Sequence, residues 1–261
     1  MADQPPRWTE PARWWGGFCR AASFLTRLPL SAAPAEAAAP LAEASWAFPL
    51  VGLVVGLLSG VAYAVAVRLS LPLLAAALLA LGVSVRITGA MHEDGLADTA
   101  DGLGGGADRE AKLAIMRDSR IGSFGVLALI FSVGLRAAAI ASIAASGEVI
   151  AALIAAHAVA RGFLPLVLRA QEPAREDGLG AEAGKPSAGV AWGAAGISAL
   201  IALFALDFVP GLVALIAAAL VMSARAVLAQ RQLGGYTGDV LGALEQGGEM
   251  VVLLVAAAWA R

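Results

Sequence analysis

The chain has 261 residues, 59% of them hydrophobic and 15% charged, with a formal net charge of −2 and a mean hydropathy of +0.78. An average soluble domain is about 45–50% apolar and about 25% charged, so this chain lies outside that class, and further still from disordered chains. The single cysteine, Cys19, excludes a disulfide scaffold, and the balance of charge carries no basic footprint for nucleic acid.

At the amino terminus, MADQPPRWTEPARWW has no apolar core behind a basic start, so no cleavable signal is read there. Residues 13–30 place Arg13, Arg20 and Arg27 seven apart, on one helix face, with Trp14, Trp15, Phe18, Ala22 and Leu25 as lipid-seeking mass. That pattern predicts an amphipathic helix lying in the membrane interface and ended by Pro29, with Cys19 as a packing residue. Seven apolar stretches follow, at 47–67, 69–85, 121–146, 149–168, 188–206, 208–224 and 240–260. Each approaches the roughly 20 residues that a helix needs to cross a bilayer. A soluble helical protein would break them with a polar face every few residues. The expected fold is an all-α integral membrane protein, a bundle of about seven transmembrane helices plus the interfacial helix, forming one domain over 1–261.

Basic residues give an independent check. They are rich before the first stretch, between the second and third, between the fourth and fifth, and again at Arg225 and Arg231. The alternate connections hold only Arg68, none, and none. Such alternation places the amino terminus and the long polar segments on the cytoplasmic side, with the carboxyl terminus opposite. Two polar segments punctuate the bundle, 91–120 and 169–187. The second, RAQEPAREDGLGAEAGKPS, reads as a flexible connection without a chemical pattern.

The first segment carries the chemistry. Asp94, Asp98 and Asp101 fall at i, i+4 and i+7, so a helix would stack them on one face. Stacked like charges are unfavourable unless a divalent cation neutralises them, and all-oxygen donors suit Mg²⁺, with Mn²⁺ as a substitute. Mg²⁺ fills its remaining positions with water and substrate phosphate, which points to a phosphate-bearing substrate. His92 lies beside these acids, and Gly102, Gly104, Gly105 and Gly106 would end the helix. Arg117, Asp118 and Arg120 stand just before the third stretch, where arginines match phosphate geometry or anchor a helix end. Asp239 opens the last stretch at the level of the acidic cluster, and Glu249 lies ten residues further, about 15 Å deeper in a helix. Ionisable groups inside a span are functional candidates by default. Glu249 is expected to face the interior, Glu245 is a candidate partner for an arginine, and His157 and Arg161 share a face at i, i+4. Arg136 needs a carboxylate that the sequence does not name.

At these residues the chain resembles cobalamin synthases. The likeness rests on MHEDGLADTADGL at 91–103, IMRDSRIGSFG at 115–125 and GYTGDVLGA at 235–243, together with FLTRLP at 24–29 and FPLVGLVVG at 48–56. It runs nearly end to end and keeps its order. It implies an enzyme joining adenosylcobinamide-GDP to α-ribazole or its 5′-phosphate with release of GMP, the step that closes the nucleotide loop of cobalamin. It also implies site residues at His92, Asp94, Asp98 and Asp101, at Arg117, Asp118 and Arg120, and at Asp239 and Glu249. Position 93, often apolar in the family, is Glu93, and position 246, Glu in some members, is Gln246.

On this reading Asp94, Asp98, Asp101 and Asp239 hold Mg²⁺ and Arg117 and Arg120 bind phosphate oxygens. Glu249 belongs to substrate binding, and His92 or Asp118 accepts the hydroxyl proton. The bilayer and the two substrates are the expected partners, and a homo-oligomer stays open. A CDP-alcohol phosphotransferase would need an AR step and a second aspartate pair after Asp101-Gly102, where this chain has Leu103-Gly-Gly-Gly. An aromatic prenyltransferase would need a second aspartate-rich motif, and TGDVLGA has one aspartate. A transporter would place its acids near mid-bilayer rather than at the rim.

Overall fold

The computed structural model describes residues 11–30 and 40–260. Helices dominate them and no strand occurs among them, as a bilayer demands of backbone polar groups that must all be bonded internally. The principal elements are α1 (Pro11–Leu25), α2 (Phe48–Arg68), α3 (Leu73–Thr88), α4 (Met91–Gly105), α5 (Arg109–Ile115), α6 (Ser123–Ile143), α7 (Ser146–Gly162), α8 (Leu164–Ala170), α9 (Ala188–Ala205), α10 (Phe208–Leu233) and α11 (Gly238–Trp259). Short helical turns at Leu41–Ala44 and Ser45–Ala47 lead into α2, and another covers Leu179–Glu182.

Six helical stretches are long and apolar enough to cross a membrane, and a seventh crossing exists if α3 and α4 are taken together. That pair differs from the expected simple span followed by a rim segment. The 16 residues of α3 extend about 24 Å, short of a hydrocarbon core of about 30 Å. Gly89 and Ala90 then take left-handed conformations, with φ of 69° and 61°, and the chain turns by 92° into α4. The left-handed region is costly for a side chain such as that of Ala90, so packing must hold the bend. The first turn of α4 lies inside the bundle, where Glu93 meets Arg136 of α6 and Gln246 of α11. Its far end reaches the start of α6, where Asp101 meets Gly122 and Gly125.

Small residues set the helix spacing. Gly52 and Gly56 of α2 face α7, and a Cβ on either would fall onto the carbonyl oxygens of His157 or Leu153. This is small-xxx-small packing, which draws two backbones together where lipid provides no hydrophobic drive. Tyr63, Ile140, Leu153 and Leu253 fill the core towards the other end of the bundle. Leu25, Phe48, Leu164, Leu233 and Leu244 fill it around the acidic segment. Large apolar side chains such as Phe131, Phe204 and Leu220 point outward, as a lipid-facing surface requires.

The amino-terminal helix is shorter than expected. It stops at Leu25, four residues before Pro29, because Thr26 donates its hydroxyl to Ala22 O (2.6 Å) and accepts Leu28 N–H (3.2 Å). Cys19, Ala22 and Leu25 pack inward, while Trp14 and Trp15 stay exposed. The helix is therefore docked on the bundle by one face and keeps its tryptophans outside.

Candidate active site

The acidic helix α4 crosses the start of α11 at very short range. A Cβ on Gly95 would lie 2.7 Å from Asp239 O, so only glycine within the acidic motif lets the two backbones meet. That crossing brings Asp94 and Asp98 beside Asp239, 145 and 141 positions away in the sequence. Asp94 is exposed and its carboxylate has no protein partner among the described residues, Asp98 is half-buried, and Asp239 takes hydrogen bonds from Thr237 Oγ1 (3.2 Å) and Arg175 Nη2 (3.3 Å). Burial, then the charges of Asp94, Asp239 and Asp101, push the Asp98 carboxyl up to about 6. Crowded hard-oxygen donors at an accessible edge fit a divalent cation, which would relieve that repulsion.

Asp101 is placed differently from its helical neighbours. It is buried and accepts the backbone N–H groups of Gly122 (2.7 Å) and Gly125 (2.8 Å). Its carboxylate therefore satisfies orphan donors at the start of α6, as a capping side chain does, rather than facing the acid cluster. Asp94, Asp98 and Asp239 are the acids that feel one another's charge at this edge, although among the described residues their oxygens do not converge as closely as the ligand atoms of His157, Glu245 and Glu249.

Asp94 and Asp239 edge a cavity of about 340 Å³, and Asp98 stands beside them outside its lining. Its polar wall is His92 and Asp94 of α4, Asp239 of α11 and Arg175, and its other wall is apolar. Arg175 comes from the segment read as a flexible connection. That segment is instead docked on the site. Ala174 N–H donates to Tyr236 O (2.7 Å), and Tyr236 N–H donates to Glu172 O (3.2 Å). Arg109 clamps the join by donating to Leu233 O (2.7 Å) and Ala174 O (2.6 Å). One guanidinium nitrogen of Arg175, Nη1, is buried without a hydrogen-bond partner among the described residues. The sequence signal for this role was thin, since one arginine in a charged loop has no spacing to betray it.

Arg117 and Arg120 have carboxylate partners of their own. Arg117 forks onto both oxygens of Asp177 (2.7 and 2.9 Å), which ties the 171–187 segment to the turn before α6. Arg120 closes on Asp118, whose carboxyl its hydrogen bonds hold down at about 2. Asp118 lies on the exposed surface, and neither it nor Arg120 lines the cavity.

Behind the polar wall lies a buried ionic network joining four helices. Arg136 of α6 donates to Glu249 of α11 (2.7 Å) and approaches Glu93 of α4 (3.4 Å). Arg161 of α7 pairs with Glu245 (2.5 Å), and His157 Nδ1 lies 3.0 Å from Glu249. Gln246 donates to Glu93 (3.2 Å) and Glu245 (3.1 Å) and accepts from Ser132 (3.1 Å). Glu249 is 1% exposed and is held away from the cavity wall. His157, Glu245 and Glu249 could together surround a cation, but both guanidiniums already occupy that place electrostatically. Among the described residues, His92 alone belongs to both network and cavity. The nearest group to its Nδ1 is Arg161 Nη2, at 3.4 Å, and Glu245 stands at 3.8 Å. A guanidinium only donates, so Nδ1 accepts and the proton of the neutral ring is assigned to Nε2, which has no protein partner among the described residues.

Fold and site together define a multi-pass helical membrane protein with a carboxylate-edged cavity at one end. Residues 17–257 match the family described as cobalamin-5-phosphate synthase. The chain is 52% identical over 239 residues to the adenosylcobinamide-GDP ribazoletransferase of Bradyrhizobium diazoefficiens, covering 92% of each chain. It is 45% identical over 233 residues to that of Mesorhizobium japonicum, covering 89% of each. To that of Azorhizobium caulinodans it is 44% identical over 247 residues, or 91% of this chain and 94% of the relative. No solved structure matches it. This chain belongs to the cobalamin-5-phosphate synthase family.

Proposed function

We propose that this chain joins adenosylcobinamide-GDP to α-ribazole or its 5′-phosphate, closing the nucleotide loop of cobalamin. The observation that carries the reading is the match over residues 17–257 to a family of that activity, with relatives named for it. The cavity supplies a place for the chemistry. A ribose hydroxyl of α-ribazole attacks the phosphorus attached to the cobinamide arm. A new P–O bond forms, the bond from that phosphorus to the bridging oxygen breaks, and GMP leaves carrying that oxygen, its phosphate taking up the proton released by the hydroxyl.

Asp94, Asp98 and Asp239 would hold Mg²⁺, with Mn²⁺ as a substitute. When bound, the cation neutralises charge on the diphosphate oxygens. Arg175, beside Asp239 on the cavity wall, is placed to donate to a phosphate oxygen. His92 offers its Nε2–H to charge developing on the same group, as a fixed donor in a site sheltered from water. Asp101 sets the start of α6, Glu249 holds Arg136, and Arg117 acts through the docked segment. The acidic end belongs at the cytoplasmic face of a bacterial inner membrane in this proposal, a reading supported by the alternation of basic residues along the chain.

The test is direct. Protein purified into nanodiscs is incubated with Mg²⁺, adenosylcobinamide-GDP and α-ribazole 5′-phosphate. GMP and a corrinoid product should appear in equal amounts, disappear with EDTA, and return with Mg²⁺ or Mn²⁺. Absence of product where a control enzyme works, or turnover of a CDP-alcohol instead, overturns the reading.

A further inference from the structure

The cavity has two chemically distinct halves. Its polar residues are His92 and Asp94 of α4, Asp239 of α11 and Arg175 of the docked segment, with Met91 and Leu241 between them. The opposite side is built from Phe24, Leu25, Leu41, Phe48, Leu164 and Leu168, drawn from α1, the turn before α2, α2 itself and α8. Among the described residues, those drawn from these elements to line it are all apolar. Its volume, about 340 Å³, is at the lower end of the ~300–1,000 Å³ of pockets that enclose small ligands.

We propose that this cavity is the subsite of the nucleoside acceptor. The aromatic base of α-ribazole enters the apolar half, and its ribose and phosphate face His92, Arg175 and the acids. The inference rests on the function proposed above. It assigns one substrate of that reaction to one wall of the site.

Size and polarity separate the candidates for this place. A corrin ring with its amide arms is much larger than the cavity and must stay at its mouth. Guanine, the other base in the reaction, carries donors and acceptors around its edge. Burying them against leucine and phenylalanine side chains would leave them unpaired, which costs free energy for each group. A benzimidazole has only C–H groups along its carbocyclic edge, so the same wall suits it. The apolar residues thereby become specificity determinants. They favour bases with an apolar outer edge and reject those with polar substituents there. A pocket of this kind discriminates a single methylene by ~10-fold or more.

The experiment fills the apolar half. Leu164→Phe and, separately, Leu168→Phe are purified as full chains in nanodiscs and checked for a monodisperse elution profile. Steady-state rates are measured with each substrate varied in turn. Binding of α-ribazole alone and of GDP alone is measured by equilibrium dialysis. The expected result is a rise of ~10-fold or more in KM for α-ribazole phosphate and in Kd for α-ribazole. KM for adenosylcobinamide-GDP and Kd for GDP should stay near their unaltered values. A loss confined to the guanosine substrate and GDP, or an equal loss for both substrates, overturns the assignment. Unaltered α-ribazole binding in both folded variants overturns it too. If the unaltered protein makes no product, the function proposed above fails, and the dialysis arm still decides whether the cavity takes an apolar nucleoside.

Discussion

Asp94 and Asp101 show how far chemically equal residues can diverge. Both lie in the acidic motif of α4, yet Asp94 faces the cavity and Asp101 holds two backbone amides of the next helix. Replacing Asp94 by Ala should lower kcat by ~10²–10³, the usual cost of losing one electrostatic contact to the transition state, with the protein still folded. Near-normal turnover of a folded Asp94→Ala variant would remove the cation assignment. Asp101→Ala should behave differently. It should lower thermal stability by ~0.5–2 kcal/mol, as loss of a capping side chain does, and leave unchanged the Mg²⁺ concentration for half-maximal rate. His92 allows a finer test. The amide N–H of glutamine reaches where Nε2 stands and that of asparagine where Nδ1 stands. His92→Gln should therefore retain more activity than His92→Asn, and the reverse order would show that Nδ1 carries the proton.

Among elements, the decisive contact is the crossing of α4 over α11. Gly95→Leu should separate the two helices and with them Asp94 and Asp98 from Asp239. The expected outcome is lost synthesis together with a raised Mg²⁺ requirement, read from rate against Mg²⁺ concentration. The acid spacing was legible in the sequence because three aspartates at helical intervals have a physical meaning before any fold is known. The apolar stretches were legible for the same reason. The bend at Gly89 and Ala90 was not, since Ala90 takes a left-handed conformation that its side chain gives no reason to expect. The docking of the 171–187 segment was equally hidden. Its anchors, Arg109, Arg117 and Tyr236, lie far from it along the chain and mean little until folding joins them.

On the scale of the whole molecule, scarce charge is divided between a buried network and an accessible rim. The network ties α4, α6, α7 and α11 together, and removing one member would leave a charge unpaired in a nonpolar interior. Glu249→Ala should therefore destabilise the bundle by ~3–5 kcal/mol, measured as a loss of folded protein on titration with denaturing detergent. A variant as stable as the parent would show that Arg136 finds another partner. Glu249 was expected to face the interior, and it does, held by Arg136 and His157. The partner of Arg136 could not be named from the sequence, because Glu249 lies 113 residues away.

By itself the sequence determined the solvent of this protein and the kind of chemistry it carries. Long charge-free stretches can satisfy their backbone only as helices in a bilayer, and aspartates at helical spacing stack on one face, where their charges repel unless something offsets them. Only the tertiary structure decided which aspartates face the cavity, which arginine lines it, and what holds His92. Those roles depend on distances between residues remote in the chain, and helix crossings set such distances through close backbone contact that composition and periodicity do not encode.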